Sequence, residues 1–187
     1  MIHAIVSLDT SVLQFLYSIR SLPVTLFFID VSEFGQYQAL LGVTTVIAVW
    51  CVMRKRIPDA VGLVAAVAGS SATILALKVL VHRPRPDFFF QAYPEGPFLA
   101  FPSAHAGLSM AFYGFVAYLV LQSYQTPPRR VFAAFLPAFA VLIGFSRLYL
   151  GVHYLSDVIA GLAIGSAFVW IGAYIRLWLL GKQYKHL

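Results

Sequence analysis

Residues 60–87 read AVGLVAAVAGSSATILALKVLVHRPRPD, and the change of character at Lys78 decides the fold. The first 18 of these residues carry no charge. A helix rises about 1.5 Å per residue, so a run of this length nearly crosses a hydrocarbon core about 30 Å thick. The charged stretch that follows, Lys78 to Asp87, contains Pro84 and Pro86. Both lack an amide proton and restrict the residue before them, which ends the helix in a stiff extended segment. A membrane span that stops at a dense group of cations is the pattern to seek elsewhere in the chain.

It recurs. Charge-free windows cover residues 34–53, 106–128, 131–146 and 158–175 besides 60–77. The N-terminal stretch 8–29 is apolar but interrupted by Arg20 and Pro23, so it reads as a kinked sixth span or as a surface helix followed by a short insert, and the span is the reading preferred. The chain has 187 residues, 60% of them hydrophobic and only 11% charged, with a mean hydropathy of +0.83. The expected fold is all-α: one integral membrane domain over residues 1–187, a polytopic bundle of about six transmembrane helices. Cys51 has no partner for an intramolecular disulfide and lies in an apolar window, where a buried free thiol is the ordinary reading. No basic region followed by an apolar core and a cleavage site is seen at Met1, so a removed signal peptide is not expected.

The net charge of +6 does not point to nucleic acid, because the cations form no stripe with interleaved aromatics. They divide by side instead. Arg54, Lys55 and Arg56, then Arg129 and Arg130, then Arg176, Lys182 and Lys185 follow alternate spans and so share one face. The positive-inside rule makes that face cytoplasmic. Six spans would put both termini there too. Lys78, Arg83, Arg85 and Arg147 fall on the opposite face, where basic residues need another reason to exist.

That reason lies in their neighbours. The span from 106 is preceded by Pro102-Ser103-Ala104-His105. Proline suits a helix start, serine suits a cap, and the free amides there attract an anion. Another span ends at Ser146-Arg147, and the last begins near His153, four residues before Asp157. On a helix that spacing gives one shared face, so the carboxylate can hold one imidazole nitrogen and leave the other free to attack. Three or four cations, a hydroxyl, two imidazoles and a carboxylate suit binding and cleavage of a phosphate ester. His82 and Arg83 read as structural or rim residues, and Gly161 and Gly165 as helix-packing positions. Phe88, Phe89, Phe90, Tyr93, Phe98 and Phe101 read as an interfacial aromatic belt.

The chain resembles the type 2 phosphatidic acid phosphatase superfamily. That family's pattern is K-x6-R-P, P-S-G-H and S-R-x5-H-x3-D, matched here by Lys78 to Arg85-Pro86, Pro102-Ser103-Ala104-His105, and Ser146-Arg147 through His153 to Asp157. Ala104 replaces the usual glycine. The resemblance implies a lipid phosphatase that uses no metal and no cofactor and works through a phosphohistidine. In it His153 attacks phosphorus, Asp157 orients His153, and His105 protonates the leaving oxygen. Lys78, Arg85, Ser103, Ala104 and Arg147 hold the phosphoryl group.

The resemblance also implies a bacterial inner-membrane location, with the site facing the periplasm or cell exterior. The expected partners are a lipid phosphate and the surrounding membrane lipids. Undecaprenyl diphosphate is the first substrate expected, with phosphatidylglycerophosphate, phosphatidic acid and lipid A as alternatives. A lipid phosphotransferase is a rival within the enzyme class, and an anion transporter is a rival outside it. Oligomeric state does not follow from the sequence.

Overall fold

The computed structural model of the chain describes residues 2–95, 99–123 and 126–183. Phe98 and Lys185 lie outside these. Among the described residues seven helices follow in order: α1 (Ile2–Ser18), α2 (Leu22–Glu33), α3 (Tyr37–Met53), α4 (Ile57–Val81), α5 (Ala104–Leu121), α6 (Pro127–Tyr149) and α7 (Leu155–Gln183). A single 3-10 turn, Phe88–Phe90, interrupts the connection from α4 to α5. No strand occurs among the described residues.

Five segments are long and apolar enough to cross a membrane: Leu22–Met53, Ile57–Val81, Ala104–Leu121, Pro127–Tyr149 and Leu155–Lys182. They contain the five charge-free windows, with one boundary displaced. The window 106–128 runs past the end of α5 at Leu121, and Pro127 and Pro128 belong instead to the first turn of α6. A proline there forfeits an amide that has no helical partner anyway.

The stretch 8–29 is not one span. It is divided between α1 and α2 at Ile19–Ser21, with Pro23 in the first turn of α2. A continuous helix would need the Pro23 amide and would drive its ring into the Ile19 carbonyl. Arg20 uses the break to donate to the Tyr149 carbonyl at 2.8 Å, with its guanidinium near the Tyr17 and Tyr149 rings. The middle of α1 is bonded through Asp9 to Ser156, at the start of α7. Both points lie where α6 ends and α7 begins, so α1 stays at that end of the bundle. Five candidate spans in place of six set residues 22 and 182 at opposite ends of the bundle, whereas six would have set both chain ends at one.

At the other end, Asp59 is 4% exposed. It accepts from Arg56 Nε at 2.5 Å and from Arg176 Nε at 2.6 Å, and Arg176 reaches Tyr118 Oη at 3.3 Å. This ties the basic turn after α3 to the end of α7, so those cations share one end as the sequence implied. Cys51 is free and buried.

The core forms where α5 packs against α4, α6 and α7. Contact between α5 and α7 is backbone to backbone: a Cβ on Gly161 would lie 2.5 Å from the Ser103 carbonyl oxygen, and one on Gly165 2.3 Å from that of Gly107. Small residues permit such an approach. The expectation that both glycines serve packing holds, and the packing sets the start of α5 against the first turns of α7.

Candidate active site

Each cation of the site is delivered by a chain end that local structure dictates. Lys78 occupies the last turn of α4, and its Nζ donates to the Leu99 carbonyl. His82 closes that helix in a left-handed conformation (φ 49°), its amide donating to the Lys78 carbonyl at 3.1 Å. His82 is thus a helix cap, exposed and outside the site. Beyond it, Arg85 points inward: its Nη1 donates to the Val152 carbonyl at 3.0 Å and stands 3.4 Å from His153 Nε2.

Arg147 ends α6 and is 1% exposed. Its guanidinium donates to Ser32 Oγ and, at 2.7 Å, to Tyr93 Oη. The neighbouring Ser146 hydroxyl is spent within its own helix on the Ile143 carbonyl, at 2.7 Å. The chain then reverses at Gly151, where φ is +71° and a Cβ would lie 2.0 Å from the Phe90 carbonyl oxygen. Only glycine meets both demands. This turn returns His153 beside Arg147 and Arg85.

His153 is 2% exposed, and its Nδ1 is 3.5 Å from Asp157 Oδ2. The pairing read from the spacing is present but differs in form. His153 precedes α7 rather than lying on it, and Nδ1 makes no hydrogen bond at that distance and alignment. Asp157 Oδ2 accepts the Tyr154 amide at 2.9 Å, as a carboxylate in the first turn of a helix does, and Oδ1 accepts from Arg83 at 2.8 Å. With Nδ1 turned to the carboxylate, Nε2 is the nitrogen on the cation side. Burial, then Arg85, Arg147, Lys78 and His105, hold the His153 imidazole well below the ordinary histidine range. It is therefore neutral near pH 7, as a nucleophile or base requires.

Ser103 is the N-cap of α5, yet its side chain makes no capping bond. Its amide donates to the Asp157 carbonyl at 3.0 Å, which locks the two motif segments together. Ser103 Oγ, Arg147 Nε and His153 Nδ1 are all buried without a hydrogen-bond partner. Three such atoms at one place are uncommon, since buried polar groups are almost always bonded.

A cavity of about 540 Å³ opens here, within the range of roughly 300–1,000 Å³ usual for small-molecule sites. Lys78, Arg85, Ala104, His105, Arg147 and His153 line it together with the apolar Ile74, Leu75 and Leu108 and with Tyr37. Ser103 and Asp157 stand behind this lining. A lining that combines cations with apolar side chains suits an amphiphile bearing an anion. Glu33 and Glu95 also reach the cavity, and Glu95 pairs with both Arg85 and Arg147.

The sequence assigned no part in the site to Ser32, Glu33, Glu95 or Asp9, and Tyr93 read only as part of an aromatic belt. Arg83, read as structural or rim, is structural in a specific sense. It pairs with Asp9 at 2.7 Å and Asp157 at 2.8 Å, with its guanidinium 4.2 Å from the Tyr154 ring centroid. Asp9 was the available signal, a carboxylate inside an apolar stretch. Phe88 and Phe89 stay exposed, as belt residues would.

Fold and site together define a multi-span helical membrane protein with a cation-lined cavity that two histidines share. The chain belongs to the PAP2 superfamily, whose profile matches residues 59–180. It is 32% identical over 91 residues to phosphatidylglycerophosphatase B of Bacillus subtilis, covering 48% of this chain and 44% of that protein. It is 40% identical over 116 residues to lipid A 1-phosphatase of Rhizobium etli, covering 57% of this chain and 46% of that one. The matches thus span under half the length of these relatives. Among solved structures, the transmembrane PAP2-type phosphatidylglycerolphosphate phosphatase of Bacillus subtilis superposes with a TM-score of 0.82 at 23% identity, over 91% of this chain and 85% of that one. LpxE of Aquifex aeolicus gives 0.71 at 22% identity, over 89% and 95%. At these identities the two structures establish the fold.

Proposed function

We propose that the protein is a membrane lipid phosphatase that removes a terminal phosphate through a phosphohistidine on His153. The observation that carries this is the convergence of Lys78, Arg85 and Arg147 on a cavity shared by His153 and His105 and flanked by apolar residues. His153 Nε2 attacks phosphorus as the bond to the lipid oxygen breaks, and a proton from His105 goes to that leaving oxygen. Water then attacks the phosphohistidine. His105 takes a proton from the water as the phosphorus–nitrogen bond breaks, releasing inorganic phosphate. Asp157 orients His153 and supports the charge it gains. The cations, the Ser103 hydroxyl and the first amides of α5 at Ala104 and His105 hold the phosphoryl oxygens, so charge stabilisation comes from side chains and backbone.

The names of the relatives favour phosphatidylglycerophosphate and lipid A 1-phosphate as substrate types. Undecaprenyl diphosphate, the first expectation from the resemblance, also presents a terminal phosphoryl group, there leaving a bridging phosphate oxygen, and belongs in the same comparison. Purified protein given these three lipids and phosphatidic acid should release inorganic phosphate from at least one of them, undiminished in excess EDTA. No release from any would overturn the phosphatase reading and leave the anion transporter. Transfer of label to an acceptor lipid in place of release would make the protein a phosphotransferase. Loss in EDTA, restored by magnesium, would overturn the metal-free mechanism.

We place the site on the extracytoplasmic face, because the basic turns share the opposite end. Cys51 is buried, so a cysteine at the exposed Asp87 is a clean reporter. Asp87→Cys should react with a membrane-impermeant maleimide in intact cells. Labelling only after lysis would reverse the orientation.

A further inference from the structure

Asp9 is the acidic residue of α1 and is 2% exposed. A carboxylate in that setting is costly unless it is paired and hydrogen-bonded. Its oxygens are fully used. Oδ1 accepts the Ser156 amide at 2.9 Å, and Oδ2 accepts the Ser156 hydroxyl at 2.6 Å and Arg83 Nη2 at 2.7 Å. Burial pushes the Asp9 carboxyl up, but the bonds from Arg83 and Ser156 outweigh it and hold it below the usual carboxylate range. Arg83 Nη1 continues to Ser156 Oγ at 2.6 Å and to Asp157 Oδ1 at 2.8 Å. One guanidinium thus bridges two carboxylates, and the second of them faces His153.

We infer that Asp9 is a positioning residue for the reaction, acting through Arg83 and Asp157 on His153. This rests on the phosphatase reading of the site. Arg83 holds one oxygen of Asp157, which turns the other toward His153 Nδ1. Alone, that guanidinium would also cancel the Asp157 charge. Asp9 supplies the balancing charge, so that two carboxylates and one guanidinium leave one net negative charge behind the imidazole. The N-terminal helix is therefore part of the catalytic apparatus as well as a packed element. No motif assigns it that part, since all the motif residues lie between Lys78 and Asp157.

The test must separate charge from anchoring. His153 is faced by Lys78 from α4, Arg85 from the connection after it, His105 from α5, Arg147 from α6 and Asp157 from α7. Its loss of a proton sets the acid limb of kcat/KM. Asp9→Asn removes a negative charge, disfavours the imidazolium and should move that limb to lower pH. It should also lower kcat on the order of 10–100-fold, the scale of losing an outer-shell partner of a working histidine, with KM little changed. Asp9→Glu keeps the charge and should keep the limb. Arg83→Gln should move it to higher pH, and the double variant Asp9→Asn with Arg83→Gln should return it toward wild type.

A fall in thermal midpoint for Asp9→Asn, with kcat and the limb unmoved, would make Asp9 an anchor of α1 and overturn the proposal. Should Asp9→Asn not purify folded, the same charge step is read between Arg83→Gln and the double variant, and no shift between them overturns it equally. A wild-type protein that releases no phosphate would sink the phosphatase reading and this role together.

Discussion

His153→Ala is expected to abolish phosphate release and phosphoenzyme formation together. The imidazole is the group whose free nitrogen faces the cations while its other nitrogen is turned to a carboxylate, and without it no adduct can form. His105→Ala behaves differently. A general acid contributes about 10²–10⁴-fold when the leaving group needs a proton, so turnover of a lipid phosphate should fall by that scale. An aryl phosphate, whose leaving oxygen is already stable as an anion, should be spared most of the loss. Asp157→Asn should fall between the two, since the imidazole remains but its orientation and charge support go. The comparison is made on both substrates for all three variants. If His105→Ala lost the phosphoenzyme while His153→Ala retained it, nucleophile and acid would be exchanged.

Arg147→Gln should lower kcat/KM on the order of 10²–10³-fold, the usual loss on removing one donor that meets charge developing in the transition state. Arg147 is the most enclosed of the three cavity cations named by the motifs, and its guanidinium also organises Ser32, Tyr93 and Glu95. Arg147→Lys should not restore the rate, because a single ammonium cannot serve those partners and a phosphoryl oxygen at once. Breaking a buried pair also costs about 3–5 kcal/mol of stability, so melting is measured beside kinetics. Stabilisation by inorganic phosphate supplies the control. It should be seen for wild type and be absent for a folded Arg147→Gln. A folded Arg147→Gln with kcat/KM within about threefold of wild type, under 1 kcal/mol, would remove Arg147 from the phosphate site.

What the sequence disclosed, and what it hid, follows from the range of each signal. Membrane spans are legible because lipid tolerates no interruption, so four of the five windows lie wholly within observed segments and the fifth, 106–128, overruns Leu121. The break after Leu121 was hidden because no charge marks it, although Pro127 and Pro128 did. Lys78, Arg85, His105, Arg147 and His153 were legible because each stands at the edge of an apolar run, and span parity brings the edges together. The Asp9–Arg83 bridge was not, because its partners are 74 residues apart and the N-terminal stretch reads only as a kinked span or a surface helix. The 3.5 Å geometry of His153 and Asp157 was hidden too: four-residue spacing promises a shared helical face, whereas the Gly151 turn leaves His153 before α7.

The central claim is a phosphohistidine on His153 formed without metal, and one trapping measurement addresses it directly. Purified protein in excess EDTA is mixed briefly with a lipid carrying radiolabelled phosphate, quenched in alkali and mapped by peptide. The account predicts an acid-labile, alkali-stable label on the peptide containing His153, absent from His153→Ala. Label on His105, or label that forms only when a divalent ion is restored, would contradict it.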